Sequence, residues 1–110
     1  MTARYSIEWS PVSLRDLDEI LEYVGLHDSP EAASRLFSKV SSCIVTLNRF
    51  PRRCRVVPEL KEQLIQEYRE LILGPYRIFF RLTEKKIGIV GVLDGRRDLE
   101  ELILQRALDQ

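Results

Sequence analysis

Hydrophobic side chains along this chain follow two periods, which predict where strands and helices form. Residues 4–9 alternate apolar and polar side chains, as in a half-buried strand. From Ser10 and Pro11 onward the spacing changes to three and four residues, which predicts a helix that begins at this cap and ends at Gly25. Its apolar stripe is formed by Leu14, Leu17, Leu21 and Val24.

A second helical pattern starts at Ser29 and Pro30, with the same type of cap. We expect it to continue to Asn48, because Pro51 cannot extend a helix and restricts the residue before it. Its apolar stripe is formed by Ala33, Leu36, Phe37, Val40, Ile44 and Leu47. Two long helices joined by the short link 26–28 must lie antiparallel, so the pattern predicts a helical hairpin.

The second half of the chain returns to the period of strands. Residues 51–67 are predicted to form a loop with a short helical turn. Residues 68–73, 76–82 and 87–93 then read as strands separated by short breaks, which predicts a three-stranded antiparallel meander. In the middle strand, one face carries Arg77, Phe79 and Arg81, and the other carries Tyr76, Ile78, Phe80 and Leu82.

A capping-box pattern predicts a final helix. Asp98 is followed three residues later by Glu101, and apolar residues then recur at helical spacing. A helix of about ten residues is marginal alone, so it must dock on the rest of the molecule. Because helices and strands are grouped in blocks, residues 1–110 are predicted to form one α+β domain with a helical layer on one face of the sheet.

Charge is abundant but balanced, so its distribution is more informative than its sum. The chain has 17 basic and 17 acidic residues among 110. Residues 1–31 hold two basic and seven acidic groups, whereas residues 32–58 hold six basic groups and no acidic one. This separation predicts a positive surface beside negative ones on a neutral protein. On the first helix, Asp16, Glu19 and Glu22 are expected to form a solvated acidic side.

Few residues are suited to nucleophilic catalysis or metal binding. His27 is the single histidine, and it is expected to lie in a solvated link. Cys43 is expected to pack as an apolar side chain, and the arginines around Cys54 are expected to lower the pKa of its thiol. One histidine and two cysteines cannot form the usual zinc sites, so no metal or cofactor is predicted. The absence of an apolar export segment in residues 1–10 favours free thiols and a cytoplasmic location.

Arginines of the second half form the main candidate site. Arg77 and Arg81 share one face of a strand, and Arg96 and Arg97 follow the neighbouring strand, so their guanidinium groups are predicted to converge. Two interpretations stay open. The groups could bind a phosphate or carboxylate of a partner, since the guanidinium fork suits both anions. They could instead stabilise the fold by pairing with Glu70, Glu84, Asp94 and Asp98.

Four segments of the chain form a pattern when they are taken together. They are YSIEWSP with LRDLDEILEYV, then LNRFPRRCRVVPEL, YRELILGPYRIFFRL and VLDGRRDLEELI. In this order, and over nearly the whole chain, they resemble the RelE/ParE superfamily of toxins from type II toxin–antitoxin modules. The resemblance implies an α+β toxin that a cognate antitoxin neutralises in a hetero-oligomer. It also implies one of two activities, namely cleavage of ribosome-bound mRNA in the RelE-like branch or inhibition of DNA gyrase in the ParE-like branch.

Departures from the nuclease pattern favour the ParE-like branch. In the RelE-like branch of the superfamily that this chain resembles, nucleases combine basic side chains on the sheet with a Tyr or His near the C-terminus. Arg77 and Arg97 match arginines of that branch, but Asp94 stands where many relatives carry His, and Ile103 where a catalytic Tyr would be sought. Glu67 and Glu70 stand where the nucleases tend to be basic. An arginine at its ordinary pKa transfers protons poorly, and a neutral chain gains little attraction to ribosomal RNA.

We therefore predict a non-catalytic toxin that binds and inhibits DNA gyrase. The alternatives are a RelE-like mRNA endoribonuclease and an inactive member that only binds its antitoxin. The predicted functional surface is formed by Arg77, Arg81, Asp94, Arg96 and Arg97. The antitoxin is predicted to lie along the hairpin and sheet, on Leu17, Leu21, Phe37, Val40, Tyr76 and Phe79. No membrane association and no sequence-specific DNA binding by this chain are expected.

Overall fold

The computed structural model describes residues 4–109, which form a mixed sheet with helices on both faces. In chain order the elements are β1 (Ser6–Trp9), α1 (Pro11–His27), α2 (Pro30–Thr46), a 3₁₀ turn (Pro51–Arg53), β2 (Arg55–Val56), α3 (Pro58–Lys61), β3 (Tyr68–Leu73), β4 (Tyr76–Leu82), β5 (Lys86–Asp94) and α4 (Glu100–Leu108). The predicted α+β class and the order of the main elements are confirmed. Both ends of the predicted 1–110 domain lie outside the described residues.

The five strands are arranged in the order β1-β5-β4-β3-β2. The predicted meander of β3, β4 and β5 forms the antiparallel centre of the sheet. Gly74, at φ +58°, adopts the left-handed conformation that the tight turn between β3 and β4 requires. β1 pairs parallel to β5, and the short strand β2 pairs with β3. The loop predicted for residues 51–67 thus contains a strand as well as a helix, and two residues are too few for alternation to reveal it.

The helical hairpin of α1 and α2 covers one face of the sheet, as predicted. Both predicted caps are present, because Ser10 Oγ accepts from Ser13 N at 3.2 Å and Ser29 Oγ accepts from Ala32 N at 3.0 Å. The core on this face includes Leu17, Val40, Ile44, Leu47, Ile78, Phe80, Ile87, Ile89 and Val92.

Both hairpin helices end at residues other than those predicted. The first continues through Gly25 to His27, and Asp28 N then donates to Val24 O at 2.9 Å. Helical backbone bonds at its C-terminus therefore outweigh the cost of one glycine. The second ends at Thr46 instead of Asn48, and the Thr46 hydroxyl donates to the carbonyl of Cys43 at 2.6 Å.

Helices cover the second face of the sheet too, which corrects the prediction of a single helical layer. α3 and α4 pack there over a separate core formed by Val57, Leu60, Tyr68, Phe79, Val90, Leu93, Leu99 and Ile103. The predicted capping box is absent. Asp98 Oδ1 accepts from Glu100 N at 3.3 Å, and Leu99 occupies the N-cap position without a side-chain bond. The last helix therefore begins at Glu100, one residue later than a cap at Asp98 would give, and the N-cap residue Leu99 is buried.

Beyond the end of β1, the edge of β5 has no strand partner among the described residues, and α1 and α4 meet across it. Asp16 Oδ2 accepts from Val92 N at 3.1 Å, and Arg106 Nη1 donates to Val90 O at 2.8 Å. Arg106 also donates to both Asp16 oxygens, at 2.8 and 2.9 Å. A Cβ at Gly91 would lie 3.0 Å from Arg106 Nη1, so glycine permits this approach. The predicted solvated acidic side is therefore wrong for Asp16, which is half-buried and paired.

Candidate functional site

The structure places the four predicted site arginines in three separate regions. Arg77 lies in an ion-pair cluster between β3, β4 and α3. Its Nε donates to Glu70 Oε1 at 2.7 Å, and its Nη1 and Nη2 each donate to one oxygen of Glu59 at 2.7 Å. The second oxygen of Glu70 accepts from Arg55 Nε. For Arg77, the predicted pairing with Glu70 is present, and Glu59 is an additional partner.

Burial makes this cluster a fixed part of the fold. The side chain of Glu70 is fully buried, and that of Arg77 is 12% exposed. The hydrogen bonds from Arg77 hold the pKa of Glu59 below its ordinary value, and the same bonds raise the pKa of Arg77. Both directions favour the charged forms of Glu59 and Arg77. Because its guanidinium is held by two carboxylates, Arg77 has no free fork for a phosphate.

Arg96 and Arg97 lie at an open cavity on the other side of the sheet. The turn after β5 carries both residues, and the backbone N–H of Arg97 donates to Asp94 O at 3.4 Å. The cavity has a volume of about 310 Å³ and is lined by Asp16, Glu19, Ile20, Tyr23, Tyr76, Val92, Leu93, Asp94, Arg96 and Arg97. We call this region the turn site. It contains three of the five residues of the predicted functional surface.

Asp94 and Arg96 form a local ion pair within the turn site. Arg96 Nη2 donates to Asp94 Oδ2 at 2.7 Å, and Arg96 Nε donates to Asp94 Oδ1 at 3.0 Å. These side-chain bonds, with a backbone bond from Arg96, lower the pKa of Asp94 to about 2. A carboxylate with so low a pKa is a weak general base near neutral pH. The arrangement is suited to holding a partner's charged groups.

Two tyrosines give the turn site an aromatic side. Tyr23 is 62% exposed and stacks on His27, with ring centroids 4.0 Å apart. Tyr76 extends from β4 towards the hairpin side and lines the same cavity. His27 is exposed, as expected, but it is the last residue of α1 and its Nδ1 lies 3.0 Å from Tyr23 O. Tyr23 is exposed and Tyr76 is half-buried, and both tyrosine and arginine are enriched in protein interfaces.

Arg81 belongs to neither region. It is exposed at the far end of β4 and lines a separate cavity of about 340 Å³ together with Glu8 and Gly88. Within residues 4–109, no carboxylate pairs with it, and the nearby ion pair joins Lys86 to Glu8 at 2.9 Å. The prediction that Arg77, Arg81, Arg96 and Arg97 converge is therefore wrong.

An apolar groove runs along the hairpin where antitoxin binding was predicted. Phe37, which is 51% exposed, contributes to two open cavities of about 350 and 410 Å³ along it. The lining residues of this hairpin groove include Trp9, Leu14, Leu17, Leu21, Ala33, Phe37, Val40 and Ile44. Four of the six predicted antitoxin residues thus lie here. Tyr76 lies at the turn site, and Phe79 is buried beneath α4 on the opposite face.

Both cysteines are free thiols. Cys43 is half-buried on α2, in agreement with a packing role. Cys54 differs from expectation, because burial raises the pKa of its thiol even though Arg53 and Arg69 act to lower it. Desolvation of the thiolate outweighs the attraction of the two arginines at this position. Within residues 4–109, no cluster of potential metal ligands is found and no helix is long and apolar enough to cross a membrane.

The architecture defines a small α+β domain with two open regions on the hairpin side, the turn site and the hairpin groove. A family model described as "ParE toxin of type II toxin-antitoxin system, parDE" matches residues 7–99. The chain belongs to this family of ParE toxins, which confirms the resemblance seen in its sequence.

Two curated relatives and one solved structure agree with this assignment. The chain is 30% identical to Toxin ParE3 of Caulobacter vibrioides over 93 residues, which cover 84% of this chain and 88% of the relative. It is 28% identical over 103 residues to the Putative toxin Y4kP of Sinorhizobium fredii, covering 92% and 99%. A structure titled "Chromosomal ParDE TA system from P. aeruginosa" matches with a TM-score of 0.65 at 22% identity, over 81% of this chain and 94% of that chain. The last likeness shows the fold.

Proposed function

We propose that this toxin inhibits DNA gyrase by binding it through the turn site, without catalysing a reaction itself. The proposal rests on the contacts of Arg77, whose guanidinium is held by two carboxylates in a buried cluster. In the nuclease branch the corresponding arginine would have to contact RNA. Membership of the ParE family supports the gyrase target over ribosome-bound mRNA.

The turn site supports binding by its composition. It offers Arg96 and Arg97 beside Tyr23 and Tyr76, around a cavity that a partner side chain could enter. Arg97 forms no ion pair within the described part of the chain, so it is available to a carboxylate of the partner. Arg81 lies outside this surface, and Arg77 contributes to it only by stabilising β4.

For neutralisation, we infer that a ParD-type antitoxin binds the hairpin groove. The solved relative carries a toxin–antitoxin title, and the groove of this chain exposes Phe37 and Leu14 beside a buried floor. A groove of this kind receives the apolar face of an amphipathic segment. The antitoxin would then contact Leu17, Leu21 and Val40 from outside, whereas Phe79 is inaccessible beneath α4.

The gyrase proposal predicts a weaker inhibitor when Arg96 and Arg97 are both replaced by alanine. The toxin concentration that inhibits supercoiling by half should rise at least about tenfold, because loss of interface arginines typically has an effect of this size. Supercoiling of relaxed plasmid by purified gyrase measures it. Arg15→Ala/Lys85→Ala is the matched control, since it removes two exposed positive charges elsewhere. Message on ribosomes should remain intact. Cleavage of the message without inhibition of gyrase would support the RelE-like alternative. A toxin that neither cleaves the message nor inhibits gyrase would support the inactive member.

The antitoxin proposal predicts that Phe37→Glu weakens the complex roughly thirtyfold, because it places a charge in the apolar groove. Calorimetric titration of the purified toxin with its antitoxin measures the affinity. Leu26→Glu is the control, because Leu26 is apolar and 76% exposed but does not line the groove. Equal affinities of the Phe37→Glu variant and the unaltered toxin would show that the antitoxin binds elsewhere.

A further inference from the structure

The positive segment of the sequence folds into a basic surface at the C-terminal end of α2. Arg49, Arg52, Arg53 and Arg69 lie around the 3₁₀ turn. Arg69 Nη1 donates to the carbonyl oxygens of Arg52 at 3.2 Å and Cys54 at 2.6 Å, which fixes the turn against β3. Arg53 Nη2 donates to the Thr46 hydroxyl, and Arg49 N donates to the carbonyl of that residue at 3.4 Å.

Among residues 4–109, these four arginines share the lack of a carboxylate partner with other arginines such as Arg81 and Arg97, but they lie together around one turn. Arg55, Arg77, Arg96 and Arg106 each pair with a carboxylate. Within residues 4–109, the four arginines of the basic surface form no ion pair, and the hydrogen-bond acceptors of Arg53 and Arg69 are neutral oxygens. Their positive charges are therefore not compensated by the fold. No acidic residue occurs anywhere in residues 32–58.

The shape of this surface distinguishes between possible anionic partners. In the part of the chain that the structure describes, none of the five main cavities is lined by residues 49–55. A peptide usually anchors side chains in pockets, whereas a nucleic-acid backbone needs only guanidinium groups that reach its phosphates. We propose that the basic surface binds the phosphate backbone of duplex DNA without reading its sequence. The proposal does not depend on gyrase being the target.

Fluorescence anisotropy with a labelled random-sequence duplex and the purified full-length toxin tests the proposal. Because the whole chain is neutral, we expect an affinity in the micromolar range at about 50 mM salt, with a logarithmic salt slope near −3.6 for about four phosphate contacts. Arg49→Ala/Arg52→Ala should weaken binding roughly tenfold or more and reduce that slope by about 2. Both side chains are exposed and have no ion pair among the described residues, so the variant should fold.

Arg15→Ala/Lys85→Ala provides the control, since it changes the net charge equally but leaves the basic surface intact. Its affinity for the duplex should stay within about threefold of the unaltered toxin. Equal losses in the two double variants, or no salt-dependent binding by the unaltered toxin, would overturn the proposal. So would binding of a polyglutamate peptide in place of DNA, which would identify a surface for acidic proteins. Gyrase is absent from this assay, so its result is separate from the supercoiling experiment.

Discussion

Replacing Arg77 with methionine should lower the free energy of unfolding by about 3–5 kcal/mol, the usual effect of removing one partner from a buried ion pair. Glu70 would remain fully buried with Arg55 as its remaining partner, and Glu59 would lose both of its hydrogen bonds from Arg77. Methionine keeps most of the aliphatic volume of the side chain but removes the guanidinium, whose carbon lies 5.0 Å from the centroid of the Phe79 ring, so the loss reports mainly on the charged group. Urea unfolding followed by far-UV circular dichroism measures it.

Arg81→Met is a close control for this experiment. Arg81 lies on the same strand and the same sheet face as Arg77, but it is exposed and has no ion pair among the described residues. Its replacement should change stability by no more than about 0.5 kcal/mol. If the two methionine variants unfolded at the same urea concentration as the unaltered toxin, the buried cluster would contribute nothing to stability, and Arg77 would again be a candidate for direct binding.

Glu70 explains why an arginine at this position need not indicate cleavage of RNA. A guanidinium on an open sheet surface can contact a phosphate, but one that is bonded to two carboxylates gains nothing from an additional anion. In this toxin the guanidinium of Arg77 already donates hydrogen bonds to Glu70 and Glu59. The sequence already contained part of this information, because pairing of the arginines with Glu70 was one of the two interpretations left open.

Elements with strong periodicity could be predicted from the sequence alone. The apolar stripes of the hairpin, the Ser-Pro caps and the alternation of β3, β4 and β5 each repeat a local rule several times. β2 could not be found, because its two residues show no period and it forms by pairing with β3. The start of α4 was misplaced by one residue, because Asp98 accepts from Glu100 N while the buried Leu99 occupies the N-cap position.

The arrangement of the site was harder to predict, because local patterns do not show on which side of a sheet a turn places its side chains. Arg77 and Arg81 lie on the face of α3 and α4, whereas the turn after β5 directs Arg96 and Arg97 to a cavity on the hairpin side. Glu59 comes from a segment without any period, so its contact with Arg77 was invisible in the sequence. Only the three-dimensional fold separates the structural arginine from the exposed ones.

Contacts between segments that are far apart in the chain cannot be read from local patterns, and the ion pair of Asp16 with Arg106 is the clearest example. Asp16→Ala should lower the free energy of unfolding by about 3 kcal/mol. The substitution removes both hydrogen bonds to Arg106 and the acceptor for the Val92 N–H. The side chains of Asp16 and Arg106 are 12% and 14% exposed, so water can replace these bonds only in part. Chemical denaturation of the purified toxin measures the loss.

Asp18→Ala distinguishes this effect from a general change of charge on α1. Asp18 is exposed and forms no ion pair among residues 4–109, so its replacement should change stability by less than about 0.5 kcal/mol. Asp16→Asn should lie between the two alanine variants, because the amide oxygen can still accept from Val92 N while the charge pairing with Arg106 is lost. Equal stability of the Asp16 and Asp18 alanine variants would mean that packing of Leu99 and Ile103 alone holds α4. If the pair does join α1 to α4, hydrogen exchange of the α4 amides should accelerate in Asp16→Ala and remain unchanged in Asp18→Ala.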